Sequence, residues 1–375
     1  MTTFAPIFQA GFIPVLLKYL KMNWKANLLY IPVLVAGFLL PLNSGASESA
    51  SGEFNAGEMI AHHIADAHSI HFVGDISVPL PVILYTNNGI DVFMSSQFVD
   101  EHHHAKPYTS ESTGNTYVLD HEKIYYADTD GASLGEKPLD FSITKSVFGL
   151  MLILALMVII FRTAAKGYTK RKGQAPKGVQ NLMEPLILFI RDEVAIPSIG
   201  AKKADRYTPF LLTVFFFIWM CNLLGLVPFL GGFNITGTLS ITIVLAFIVF
   251  VITNVSGNKH YWGHILWPPG VPLPIKFILV PIEFAQVFIK PAVLMVRLTA
   301  NIAAGHIVIL AFVSLVILFG KQGDAVAAGF GVGVGATLFM VFMFFIELLV
   351  AFLQAYVFTL LAALYFGDAT QEAHH

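Results

Sequence analysis

Cysteine is almost absent: Cys221 is the one thiol in 375 residues. That excludes an internal disulfide and a cysteine metal cluster. Charge is nearly as scarce, at 12% of residues against 56% apolar, with a mean hydropathy of +0.70. Soluble domains carry about a quarter charged residues, so a composition this poor in charge describes a polytopic membrane protein. No run reads G-x-x-x-x-G-K-S/T, so the chain has no phosphate loop of the Walker type. No inverted internal copy is evident either, which argues against a repeat-built transporter. No cofactor, no resident metal and no nucleic-acid partner is expected.

The charges that are present are unevenly spread. Residues 43–140 hold fifteen Asp/Glu, three Lys/Arg and eight of the thirteen His, while the rest of the chain holds nine acids and nineteen bases. One acidic aqueous module therefore joins a basic-flanked membrane module. Before it, residues 22–46 read as a secretory signal: Lys25 leads, Leu28–Leu42 is apolar, and Ser44-Gly45-Ala46 suits cleavage after Ala46. Met22 is a natural start for such a peptide, and Pro32 and Pro41 shorten the apolar run below the ~20 residues of a span. The expected division is a leader at 1–46, an extracytoplasmic module at 47–140, a membrane domain at 141–366 and a cytoplasmic tail at 367–375.

Within the module, Glu58–His68 suits a short amphipathic helix. Ile76–Tyr85 and Ile90–Met94 suit a hairpin around Asn87-Asn88-Gly89, and Tyr117–Asp120 with Ile124–Ala127 suits a second. The triplet His102-His103-His104 makes no metal site by itself, because consecutive side chains diverge. The fold expected beyond the module is all-α, with about five crossings. The spans are 143–161, 207–229, 235–255, 275–319 and 325–366, the second and third joined tightly through Gly231–Asn234. Val179–Ile196 mixes Glu184, Arg191, Asp192 and Glu193 with Leu and Ile, as an amphipathic surface helix does. Arg162, Lys166, Lys170, Arg171, Lys172 and Lys177 follow the first span without an acid, which assigns that loop to the cytoplasm and the module to the outside. The last two runs exceed twice the length of a perpendicular span and must tilt or bend.

Inside the fourth run stands Arg297. An arginine at membrane depth costs about 2.5–3.5 kcal/mol on insertion scales and cannot lose its proton, so it needs a partner or water. At 100° per residue, Asn301 lies about 40° from it, Glu283 about 40° and Lys290 about 20°. On the last run Glu347, Gln354 and Tyr365 fall within about 20° of one line. Opposed helix directions pair these groups by depth as outer (His306, Glu347), middle (Arg297, Gln354) and inner (Glu283, Tyr365). The plain structural reading of Gln354 is an interhelical hydrogen bond to Arg297, which would fix the guanidinium's direction. His306 is a misfit, about 180° round from Arg297. Asn222 suits helix–helix glue, and Gly331, Gly333 and Gly335 suit close packing or a flexible helix start.

The stretch Pro291–Gly305, with Arg297, Asn301 and Gly305, resembles the signature of ATP synthase subunit a. Asn222-Leu-Leu-Gly-Leu-Val-Pro228 is similar to that family's Asn-Leu-x-x-Leu-x-Pro segment, and His62-His63-Ile64 to its early His-His pair. Glu283, Gln354 and Tyr365 fall on family polar positions. His306 and Glu347 are exchanged relative to many bacterial members. The resemblance covers about residues 53–72 and 138–366 and leaves the insertion at 73–137 outside it. It implies a proton-path subunit without bond chemistry of its own, in the bacterial inner membrane. The partners it implies are a ring of c subunits, the b subunits of the peripheral stalk, the rest of the complex and the lipid bilayer. A stand-alone arginine-gated channel or secondary transporter, and a membrane metalloenzyme using the His-rich module, are the rival readings.

Overall fold

The computed structural model describes residues 57, 66–71, 77–100, 105–120, 122–128, 132–170, 174–227, 232–320 and 325–371, apart from the side chains of His71, Val326 and Ala328. The leader, most of the Glu58–His68 stretch and His102–His104 lie outside the described residues. Asp66–His68, which are described, are not helical.

The module is built from short antiparallel strands. β1 (Ser69–His71) pairs with β2 (Ser77–Pro79). β3 (Pro81–Thr86) and β4 (Gly89–Met94) form the expected hairpin. Its turn is Asn87-Asn88, and Gly89 opens the return strand at φ +136°, a conformation that side chains with a Cβ avoid. β5 (Tyr108–Thr109), β6 (Thr116–Asp120) and β7 (Lys123–Tyr126) make a second sheet that contains the second expected hairpin. β8 (Leu139–Asp140) returns to pair with β3. Val82, Leu84, Phe93, Phe98, Tyr117 and Ile124 form the core between the sheets.

A carboxylate sits inside that core. Asp91 of β4 is 0% exposed and accepts hydroxyl hydrogen bonds from Ser110, Ser112 and Tyr117, and from Thr113 at 2.6 Å. Burial alone would raise its pKa, but the four donors outweigh burial and hold the carboxyl below its ordinary 3.8. A depressed value stabilises the fold above the unfolded pKa, and that contribution is lost as pH falls through the folded one. Asp91→Asn is therefore expected to destabilise the module by about 1–3 kcal/mol at neutral pH. Hydrogen exchange at β4 and β6 in the intact chain checks this. The variant's amides should show lower protection factors at pH 7, and less of the fall in protection toward pH 3 that the wild type shows.

Beyond β8 the periodicity changes to that of helices. α1 (Lys145–Lys170) begins on the module: Ala67 O accepts from Lys145 N at 2.8 Å, and Asp66 Oδ1 from Ser146 N at 2.9 Å. These satisfy N–H groups that a helix start leaves unpaired. α1 extends past the expected end at Phe161 and carries Arg162, Lys166 and Lys170 on its last turns. α2 (Val179–Phe189) continues into a π-helical turn, Ile190–Ala195, and one α-turn, Ile196–Ile199. This segment is amphipathic as expected: Arg191, Asp192 and Glu193 are exposed, whereas Ile190, Val194 and Ala195 are fully buried.

α3 (Ala201–Gly225) and α4 (Leu239–Ser256) follow. Their connection is longer than the Gly231–Asn234 link expected, because α3 ends at Gly225 and α4 starts only at Leu239. The chain between them turns inward: Phe233, Asn234, Ile235 and Thr236 are buried. Gly149 of α1 accommodates it, since a Cβ there would meet Phe233 at 2.7 Å. α5 (Lys259–Leu266) is short and amphipathic. α6 (Leu273–Phe319) and α7 (Val326–Thr370) are uninterrupted over 47 and 45 residues, about 70 Å each. Against a hydrocarbon core of about 30 Å they must run steeply inclined.

Among the described residues, five helices are long and apolar enough to cross a membrane: α1, α3, α4, α6 and α7. α3 and the second half of α7 form the centre, through Leu211, Phe215, Phe358 and Phe366. Buried Thr208, Thr253, Thr359 and Thr370 each donate to a carbonyl one turn back, so no hydroxyl among these is left unpaired in an apolar interior. Gly367 is required where it stands, because a Cβ would lie 2.0 Å from Ser198 O. The close approach expected at Gly331, Gly333 and Gly335 occurs instead between Gly320 and Gly329. A Cβ on Gly329 would meet the Gly320 Cα at 2.8 Å, whereas Gly331 and Gly335 have open space.

Candidate functional site

The polar groups of α6 and α7 fall into three clusters. The outer one surrounds a cavity of ≈ 20 Å³ lined by Asn222, Asn301, Gly305, His306 and Glu347, on the scale of one water. Gly305 makes room for the carboxylate, since a Cβ there would stand 2.3 Å from Glu347 Oε1. His306 comes from the other flank, its Nε2 3.5 Å from where a Cβ on Gly225 would be. The helical-wheel misfit is thus resolved by approach from the α3 side. His306 and Glu347 share one cavity, and neither Glu347 oxygen has a hydrogen-bond partner among the described residues. Asn222 fixes the wall: it donates to Ala351 O at 3.1 Å and accepts from Thr236 at 2.6 Å, the linking role expected of it.

In the middle, Asn301 Nδ2 donates to Gln354 Oε1 at 2.8 Å. It stands in place of the Gln354–Arg297 bond that the plain structural reading offered. Arg297 and Asn301 both lie on the exposed side of α6, and it is the Asn301 amide that reaches the buried Gln354. Val293, Val296, Ala300 and Ala304 flank the arginine on that exposed side. Its guanidinium has no hydrogen bond or ion pair among the described residues.

The inner pair also differs from expectation, for Glu283 and Tyr365 take separate partners. Glu283 Oε2 lies 3.3 Å from His264 Nδ1 of α5. Tyr365 is capped by Lys290, whose Nζ is 5.3 Å from the ring centroid and 3.4 Å from Asp368 Oδ2. Lys290, Tyr365, Asp368, Asn254 and Tyr261 line a second cavity of ≈ 20 Å³. Burial first, and then the Asp368 charge, pushes the Tyr261 hydroxyl above its ordinary pKa, so it remains a neutral donor. Asp368 was not singled out from the sequence; its i, i+3 spacing from Tyr365 was the available signal. Lys145 was also missed. It is 7% exposed and within electrostatic range of His306, Asp66 and Glu122.

The family model described as "ATP synthase A chain" matches residues 148–367, which include every residue named in these clusters except Lys145 and Asp368. The chain belongs to that family. Similar proteins named ATP synthase subunit a include one from Anaeromyxobacter sp. (strain Fw109-5), 33% identical over 349 residues, 89% of this chain and 75% of its own. Another is from Chlorobium phaeobacteroides (strain DSM 266 / SMG 266 / 2430), 40% identical over 63% of this chain and 67% of its own. A third, from Myxococcus xanthus (strain DK1622), is 42% identical over 63% and 76%. As a subunit a, the chain is a membrane component of the proton-translocating sector and works within an ATP synthase. The module is distinct: residues 59–141 match a domain family of unknown function.

Proposed function

We propose that the chain forms two aqueous half-channels against a ring of c subunits, with the c-ring turning past α6 as the only bridge between them. Protons reach the ring from outside past His306 and Glu347, neutralise a ring carboxylate, and leave to the cytoplasm through the inner cluster of Glu283, Tyr365, Lys290 and Asp368. Asn301 and Gln354, bonded to one another, hold the wall between the two paths. One observation carries this reading: Arg297 presents a permanent cation, unpaired among the described residues, on the exposed side of a membrane helix. A lone chain would not leave it so, given the cost of an unpaired arginine at that depth. A ring carboxylate passing it is stabilised as the anion, so it releases its proton inward before passing and reloads only on the outer side. The fixed cation also excludes protons from leaking directly between the paths. A leak would dissipate about 2.3 kcal/mol per proton for each 100 mV.

The basic end of α1 supports an orientation with that end in the bacterial cytoplasm, the module outside the inner membrane and the C-terminus inside. The b subunits of a peripheral stalk would hold the chain against the torque of the ring. The division into a leader at 1–46, a module at 47–140 and a membrane domain at 141–366 fits this placement. Cross-linking tests the arrangement. A cysteine at Ala300, exposed one turn from Arg297, is expected to link to a copurifying small hydrophobic subunit near its membrane carboxylate. Purification as an isolated oligomer with no such link would favour the stand-alone channel instead.

A further inference from the structure

The strands of the β3–β4–β8 sheet alternate in the wrong sense for a sheet with one wet face. Antiparallel sheets ordinarily bury apolar residues on one face and turn polar ones outward. Here Val82, Leu84 and Phe93 fill the core face together with the buried carboxylate of Asp91, and Asp140 of β8 is registered with Leu84 on that same face. The outward face carries Tyr85, Ile90, Val92, Met94, Leu139 and Phe141, all between 43% and 66% exposed. The pairings Tyr85↔Ile90 and Tyr85↔Leu139 show that these side chains adjoin across all three strands. Register error is no explanation. A one-residue slip would turn Asp91 out, but its four hydroxyl donors fix it inside. Contiguous apolar surface of this kind marks an interaction site.

We propose that this face rests on the outer leaflet of the bilayer beside α1, so that the module is a membrane-seated collar and not a free periplasmic domain. Chain continuity identifies lipid as the occupant. Sheet bonding persists almost to the membrane helix: Phe141 N donates to Ile83 O at 2.9 Å and Ile143 N to Pro81 O at 3.0 Å. α1 begins at Lys145, so Phe141 lies within about 14 Å of its first residue along the chain. On α1 itself the apolar exposure resumes at once with Phe148 and Met151. The apolar surface of the sheet thus leads directly into the lipid-facing surface of the helix. Tyr85 supplies the ring with a polar tip that suits the headgroup level. The acid excess of residues 43–140 selects zwitterionic over anionic headgroups. This inference does not rest on the proton path.

Spin labelling in the assembled complex, reconstituted in phosphatidylcholine–phosphatidylethanolamine vesicles, tests it. Nitroxides are placed at Val92→Cys and, separately, Leu139→Cys, with Glu136→Cys on an exposed loop as the aqueous reference. The expected result is collision with oxygen exceeding collision with a water-soluble nickel chelate several-fold at 92 and 139, and the reverse at 136. Dominant nickel accessibility at 92 and 139 would show a solvated face and overturn the proposal. Protection from both quenchers at these positions would assign the face to another protein subunit, or to a second copy of the chain, and overturn it equally.

Discussion

Arg297→Lys is expected to reduce gradient-driven ATP synthesis, and ATP-driven proton pumping, by at least about two orders of magnitude, the scale on which losing one preorganised charge-stabilising group acts. Lysine keeps the charge but loses the planar five-donor fork, and unlike arginine it can deprotonate when desolvated. A ring carboxylate would then pass either without releasing its proton or after protonating from the wrong side. Assembly should persist. Arg297 has no bond within the described chain and lies on an exposed helix side, where substitutions usually change stability by no more than about 0.5 kcal/mol. Reconstituted vesicles with a quantified complement of complex separate the two effects. Normal synthesis in the lysine variant would refute the assignment of this residue.

The second large effect is expected at a residue with no side chain. Gly305→Ala would place a Cβ 2.3 Å from Glu347 Oε1. The backbone need not move, because the end of a flexible side chain can swing away. The carboxylate would leave the cavity it shares with His306, by more than about 1 Å, and misplacement on that scale costs about 100-fold where geometry governs transfer. Flux should therefore fall by about 10- to 100-fold in a complex that still assembles. Shortening the acid should relieve the clash, so Gly305→Ala/Glu347→Asp is expected to recover part of the loss. Full flux in the single variant would remove Glu347 from the proton path. A double variant no better than the single one would mean that the glycine acts through packing and not through the acid.

The membrane architecture was readable because long apolar runs leave few alternatives. The five helices, the amphipathic Val179–Ile196 segment and both hairpins of the module follow from composition and period. Connections were read less well. Gly231–Asn234 looked like a tight link, yet Phe233 to Thr236 turn inward to fill space beside Gly149 and Asn222, a tertiary demand with no local signal. The site divides in the same way. Depth matching paired Gln354 with Arg297, and the structure joins Gln354 to Asn301, one turn on. The helical wheel could not show which of Arg297 and Asn301 takes Gln354, because the two lie within about one turn on the same exposed side of α6. Glu283 met His264, a partner from a short helix whose approach no periodicity of α6 encodes. The outward apolar face of the module was hidden for another reason: alternation in β4 states that two faces differ, and not which one is buried.

Sided water accessibility tests the two-path claim most directly. With Cys221, itself buried, replaced by alanine, single cysteines are placed at Val350 in the outer cavity and Asn254 in the inner one. A small membrane-impermeant thiol reagent is then applied to right-side-out and inverted vesicles. The expected result is reaction at 350 from the extracytoplasmic side alone and at 254 from the cytoplasmic side alone. Reaction of either thiol from both sides would reveal one continuous channel and contradict the account.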